Sequence, residues 1–239
     1  MTNDPDQTPS VKPSIDTDKR QGNPLWLQMW REDCTDEFHQ MAVNPLLTRY
    51  WSSQGLKRNS RILVPLCGKS LDMLWLAEQG HRVVGIELSP IAAKAFFQEN
   101  HLKVKKTRYG NFTCWQSGDI VIWCGDFFSL QKHRLGRIDG VFDRAALTAL
   151  PEAVRGQYVT QLRALIGGDV GVFLLTVEDV ATDSGQQASQ IDSEITTLYG
   201  EHFEIELTHA QRLDTVVDGS AGQGCHVDSK VYQMTQRLA

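Results

Sequence analysis

Glu87 closes the apolar run Val83-Val84-Gly85-Ile86, and Gly68 sits in the turn Pro65-Leu66-Cys67-Gly68-Lys69-Ser70 that follows another apolar run, Ile62-Leu63-Val64. In a parallel sheet those two features meet at neighbouring carboxyl ends, where adenosine cofactors bind. A carboxylate there accepts hydrogen bonds from both hydroxyls of a ribose; the competing reading is a strand-end charge facing water. The Gly-Lys-Ser ending of the turn invites a phosphate-loop reading, which fails on spacing because Leu63 stands where the first glycine is required. One glycine also replaces the three that seat a pyrophosphate. A cofactor without phosphates needs none of them, and S-adenosylmethionine is such a cofactor. Taken alone, Gly68 fits an ordinary tight turn equally well.

Two more strand ends offer chemistry at the same rim. Gly125-Asp126 follows Val121-Ile122-Trp123-Cys124 and is placed to read an adenine edge, although Asp126 serves equally as a cap for the next segment. Asp143-Arg144 ends Ile138-Asp139-Gly140-Val141-Phe142. A fixed Arg144 guanidinium holds a carboxylate or an anionic sulfur group, or else pairs internally with Asp143 or Glu87. Upstream, Trp26, Trp30 and Phe38 form either a core stripe or an aromatic lid over the crevice, with His39 as a polar neighbour. The histidines have no metal-ligand spacing, and no metal is expected.

The elements that must carry these groups are legible in outline. Residues 1–22 are polar and read as a disordered tail. Helices open at Asn23-Pro24 and at Asn44-Pro45, the latter with Leu46, Leu47, Tyr50 and Trp51 as its apolar face. Strands are expected at 61–66, 82–87, 119–125, 138–143 and 170–177. Ser89 caps, and Pro90 starts, the helix after the second strand, with Ile91, Ala95 and Phe96 as its core stripe. Asn111, Thr113, Cys114 and Trp115 suit an extra hairpin before the third strand. Pro151 starts a helix that runs to about Ile166 and stops at Gly167-Gly168. Residues 181–190 read as a polar loop, 191–199 as a helix, and 202–212 with 226–236 as an antiparallel edge pair. The fold class is therefore α/β, Rossmann-like: residues 23–239 form one domain, with a helical cover at 23–58 and a sheet core at 61–236.

Bulk properties agree. The 239-residue chain is 41% hydrophobic and 22% charged, ordinary for a globular protein. Its formal charge of -5 gives no reason to expect nucleic acid or an anionic membrane as partner. No apolar run approaches the roughly 18 residues of a spanning helix, and the start lacks a secretory pattern. The 5 cysteines are scattered without a Cys-x-x-Cys pair, as in a reducing cytoplasm.

The run Val64-Pro65-Leu66-Cys67-Gly68-Lys69-Ser70-Leu71-Asp72-Met73-Leu74-Trp75-Leu76-Ala77-Glu78-Gln79-Gly80-His81, followed by Val83-Val84-Gly85-Ile86-Glu87-Leu88-Ser89, resembles bacterial thiopurine S-methyltransferases. So do Phe38-His39-Gln40, Val43-Asn44-Pro45-Leu46-Leu47, Cys124-Gly125-Asp126-Phe127-Phe128 and Phe142-Asp143-Arg144-Ala145-Ala146-Leu147. The resemblance implies a seven-strand methyltransferase sheet with an antiparallel last strand and S-adenosyl-L-methionine as cofactor. It implies cofactor contacts at Trp30, Leu66, Glu87 and Arg144, with the backbone of Asp126 and Phe127 on adenine and Phe38 between cofactor and acceptor; Gly68, in the turn, is a further cofactor-binding candidate. The activity implied is methyl transfer to an aromatic or heterocyclic thiol such as a thiopurine. The rim position of Arg144 makes it the catalytic candidate, the scattered cysteines suit a cytoplasmic protein acting on a small molecule, and a monomer is the expectation because no interface signal is visible. The match thins at Val177-Glu178-Asp179, Gly185-Gln186-Gln187-Ala188 and 217–225, segments that wall the acceptor pocket. Other small thiols, selenium or tellurium species, or a cofactor-binding protein with a degenerate pocket are the alternatives. A nicotinamide-dependent oxidoreductase is disfavoured by the missing glycines.

Overall fold

A computed structural model describes residues 23–34, 39–180, 185–215 and 225–237. The expected tail at 1–22 lies outside the described residues, as does Phe38. The chain opens with α1 (Asn23–Glu32) and α2 (Pro45–Tyr50), the latter extended by a 3-10 turn, Trp51–Gln54. The sheet core then runs β1 (Arg61–Val64), α3 (Asp72–Glu78), β2 (Arg82–Glu87), α4 (Pro90–Glu99), β3 (Lys105–Tyr109), β4 (Phe112–Ser117) and β5 (Ile120–Cys124). It continues with β6 (Gly140–Arg144), α5 (Glu152–Ile166), β7 (Gly171–Val180), α6 (Gly185–Tyr199), β8 (Phe203–Thr215) and β9 (Cys225–Gln236).

Nine strands form one sheet in the order β3-β4-β5-β2-β1-β6-β7-β9-β8. Strands β5, β2, β1, β6 and β7 are parallel, and β9 runs antiparallel between β7 and β8. These seven strands are the expected sheet with its antiparallel last strand. The other two, β3 and β4, form the hairpin that precedes β5 and pair antiparallel onto its edge. Strand residues alternate between two cores, as a sheet covered on both faces requires. Leu63, Val84, Ile86, Val141, Val172, Leu174, Tyr232 and Met234 pack towards α5 and α6. Ile62, Val64, Val83, Phe142, Phe173, Leu175 and Val231 pack towards α2, α3 and α4.

Local chemistry sets several element ends. Asn44 caps α2 by accepting from the Leu46 amide, and Ser89 caps α4 by accepting from the Ala92 amide, each with proline next. The core stripe of α4 differs from the expectation. Ala92, Ala93, Phe96 and Phe97 are buried at helical spacing, whereas Ile91 is exposed, because the face turned to the core is the one that carries those four residues. The polar stretch expected to be a loop to residue 190 is helical from Gly185, so α6 begins earlier than its apolar residues indicate. Residues 181–184 lie outside the described residues.

The order reverses between β1 and β6: the chain leaves β1 for β2 and β5 on one side, then returns to β6 on the other. A crevice at that switch point is what an open parallel sheet offers a ligand.

Candidate active site

One crevice gathers the carboxyl-end segments of four parallel strands. It is lined by Leu66 to Ser70 after β1, Glu87 and Leu88 at the end of β2, Asp126 to Phe128 after β5, and Arg144, Ala145, Ala146, Ala149 and Leu150 after β6. The cover contributes Asn23, Trp26 and Trp30 from α1, and His39. Its volume is about 900 Å³, open mouth included.

The turn after β1 is built for close approach. Leu66 and Gly68 both have left-handed backbones, φ 45° and 53°. Strain of this kind, of order 1–2 kcal/mol for a residue with a side chain, persists where the surroundings over-determine it. The Cys67 amide donates to the Ile86 carbonyl at 2.9 Å, which stitches the turn to β2. The Trp30 ring lies against Gly68: a methyl group there would meet it at 3.4 Å. Cys67 is buried against Gly85, and its thiol is pushed well above the usual range, first by desolvation and then by Glu87. A protonated, enclosed thiol is packing and not a nucleophile.

Glu87 is 6% exposed, so the water-facing alternative does not hold. Oε2 accepts from the Gly68 amide at 2.7 Å and Oε1 from the Ser89 amide at 2.6 Å. Desolvation raises its pKa to about 7 against the pull of those amides. A carboxylate has about four acceptor sites in all, so these two amides do not exhaust Glu87. Neighbouring Cys124 is pushed up to about 11 by burial and by Glu87.

Arg144 pairs with neither residue that the sequence offered. Its Nε donates to Asp72 Oδ2 at 2.8 Å, and its Nη2 to Ser70 Oγ at 3.3 Å. Asp143 points the other way, towards α5: Tyr158 donates to it at 2.6 Å and the Ala146 amide at 3.1 Å. Burial raises Asp143 to about 6 against those hydrogen bonds. That cap closes the turn at Ala145, whose φ is 58° and which exposes its small side chain to the crevice. The Asp126 side chain is committed to capping, accepting from the Phe128 amide at 3.1 Å and the Ser129 hydroxyl at 2.7 Å. Asp126 and Phe127 both line the crevice.

Of the sequence candidates, Trp30, Leu66, Gly68, Glu87, Asp126, Phe127 and Arg144 come together, as do Trp26 and His39. Sequence reasoning missed Asp72 and Ser70, which reach Arg144 only through the tertiary fold, and the apolar wall of Ala145, Ala149 and Leu150. It also missed Gly85, where a methyl group would sit 2.6 Å from the Cys67 sulfur.

The lining fits an adenosine cofactor that has no phosphates. Both of its Lys and Arg side chains are committed to carboxylates, Lys69 to Glu99 at 2.9 Å and Arg144 to Asp72 at 2.8 Å. A pyrophosphate beside the buried Glu87 carboxylate would be repelled, whereas a cationic sulfonium there gains from the same field. Among the described residues no group of three His, Cys, Asp or Glu converges to hold a metal ion.

Comparison with known proteins agrees with this geometry. The profile of the family described as thiopurine S-methyltransferase matches residues 22–237. A thiopurine S-methyltransferase of Stutzerimonas stutzeri is 53% identical over 214 residues, covering 89% of this chain and 90% of that protein. One from Bordetella petrii is 40% identical over 215 residues, covering 89% and 98%. Among solved structures, a SAM-dependent methyltransferase from Anabaena variabilis aligns with a TM-score of 0.59 at 12% identity, over 97% of this chain and 100% of that one. A Burkholderia thailandensis 1,6-didemethyltoxoflavin-N1-methyltransferase, solved with S-adenosylhomocysteine, aligns at 0.54 and 18%, over 98% and 94%. At such identities the structures speak for the fold alone, while the sequence relatives settle the family. The chain belongs to the thiopurine S-methyltransferase family.

Proposed function

We propose that the protein transfers the methyl group of S-adenosylmethionine to the sulfur of a small aromatic or heterocyclic thiol, such as a thiopurine. The observation that carries this reading is Glu87: a buried carboxylate at a strand end, held by two backbone amides beside a left-handed turn, in a crevice whose Lys and Arg are already paired. When bound, S-adenosylmethionine supplies a methyl on cationic sulfur, which a thiolate displaces in line to leave S-adenosylhomocysteine.

The residues need only orient and exclude. The Glu87 carboxylate would accept from the ribose hydroxyls. The left-handed turn at Leu66 and Gly68 would let a bound cofactor approach its backbone, and the Trp30 ring against Gly68 would help keep water out. The Asp126–Phe127 backbone would border adenine. Arg144 presents the guanidinium edge not used by Asp72 to the anionic side of the acceptor, while Ala145, Ala149 and Leu150 form an apolar seat for a ring. The family resemblance assigns Phe38, outside the described residues, a role in binding the acceptor. An acidic heteroaryl thiol arrives as the thiolate, so no dedicated base is required, and proximity supplies most of the acceleration.

A second reading, methylation of other small thiols or of selenium or tellurium species, draws on the segment at 178–188, where the family resemblance thins. We further read 23–239 as one domain acting as a cytoplasmic monomer on a small molecule, without nucleic acid. No described helix is long and apolar enough to cross a membrane. The test is S-adenosylhomocysteine release on a panel of thiols. Turnover fastest on a heteroaryl thiol supports the first reading, turnover confined to selenium or tellurium species the second, and no turnover on any acceptor defeats both.

A further inference from the structure

We propose that Asp72 is a positioning residue for the crevice, fixing the Arg144 guanidinium and the segment before α2 in one relation to each other. Only the kinetic part of its test rests on the methyl-transfer reading. A carboxylate in the first turn of a helix ordinarily faces water and gains modestly from the helix dipole. Asp72 opens α3 yet is 1% exposed, and its bonding is directed at other segments. Oδ1 accepts from the Asn44 backbone amide at 2.8 Å, and Oδ2 from Arg144 Nε at 2.8 Å and the Ser70 hydroxyl at 3.0 Å.

Ser70 completes the arrangement. Having given its one proton to Asp72, its oxygen accepts from the Asp72 amide at 3.2 Å and from Arg144 Nη2 at 3.3 Å, which fills its hydrogen-bonding capacity. Asn44 is fixed in turn, its side chain accepting from Leu46 and donating to Gln40 at 3.1 Å. One carboxylate thus joins the glycine turn, the end of β6 and the stretch that carries His39 into the crevice. A guanidinium is planar, so holding its Nε and Nη2 edge directs the Nη1 edge. Without Asp72 the arginine is free to rotate about its side-chain bonds and loses the counter-charge that keeps the crevice close to neutral.

The test begins with Asp72→Asn. Its amide still accepts from Asn44 but presents a donor to Arg144 Nε where an acceptor stood. In ligand-free protein, solvent exchange of the Arg144 Nε–H proton, followed by nitrogen-resolved NMR, should accelerate at least about tenfold once its charged acceptor is lost. The variant's kcat/KM should fall about 10- to 100-fold, the scale of a displaced orienting group. In an Arg144→Ala background the same substitution should cost less than about twofold, because a residue acting through Arg144 has nothing further to lose. Should Asp72→Asn not fold, Ser70→Ala carries the test with the same faster exchange and a smaller loss. Unchanged exchange, or losses that multiply independently in the double variant, overturns the proposal. A wild type that transfers no methyl group overturns the methyl-transfer reading instead, and the exchange measurement then decides the role of Asp72 by itself.

Discussion

Lowering the pH from 8 to 6 should weaken S-adenosylhomocysteine binding about tenfold, and Glu87→Gln should abolish that dependence. Ribose hydroxyls donate to an ionised Glu87, so the ligand selects the deprotonated form. With a pKa of about 7, the ionised fraction falls from about 0.9 at pH 8 to about 0.1 at pH 6. Binding at pH 6 must therefore expel nearly one proton, which calorimetry reads as a heat that varies with the ionisation enthalpy of the buffer. Any titration of the ligand itself persists in Glu87→Gln, so the difference between the two profiles isolates the carboxyl. The stability of the free protein moves the opposite way. A carboxyl raised from 4.5 to about 7 on folding contributes stability fully present below 4.5 and lost as pH rises through 7, a swing of about 3 kcal/mol. Asp143, raised from 3.8 to about 6, adds to the same trend. Affinity flat between pH 6 and 8, or a wild type and Glu87→Gln with parallel profiles, would refute the reasoning.

Three further outcomes rest on the packing around the site. Gly85→Ala places a methyl 2.6 Å from the Cys67 sulfur and 3.1 Å from that of Met73. Overpacking should lower stability by about 1–3 kcal/mol and shift the turn enough to weaken S-adenosylhomocysteine binding; unchanged thermal unfolding and affinity would contradict this. Alkylation at pH 7.5, mapped by mass spectrometry, should modify exposed Cys34 while Cys67 stays unlabelled, because its thiol is buried and protonated. Equal rates at the two would sink that account. Tyr158→Phe removes the donor to Asp143 and should cost about 1–3 kcal/mol in urea unfolding. The loss should be larger at pH 8 than at pH 5, where the carboxyl of Asp143 is neutral; a loss independent of pH would count against it.

The features legible in the sequence were local ones. Ser89-Pro90 announces α4 because a cap needs only neighbours, and Glu87 announces the site because a charge ending an apolar run demands a reason. Asp72 is silent by comparison: in sequence it is one more acidic residue at a helix start, and its partners Asn44 and Arg144 arrive from distant segments. The early start of α6 was hidden because Gly185 to Gln190 carry no apolar period. Strand β3 was hidden because all five of its residues are exposed and show no alternation. The burial of Gly85 against Cys67 was illegible for another reason, since a missing side chain signals nothing until its neighbour is placed.

The most direct test of the central claim is a calorimetric titration of the wild-type protein at pH 8 with S-adenosylhomocysteine and, separately, with NAD. Saturable binding of one S-adenosylhomocysteine per chain, with no heat from NAD, is the predicted result. No binding of S-adenosylhomocysteine, or equal affinity for the dinucleotide, would contradict the account.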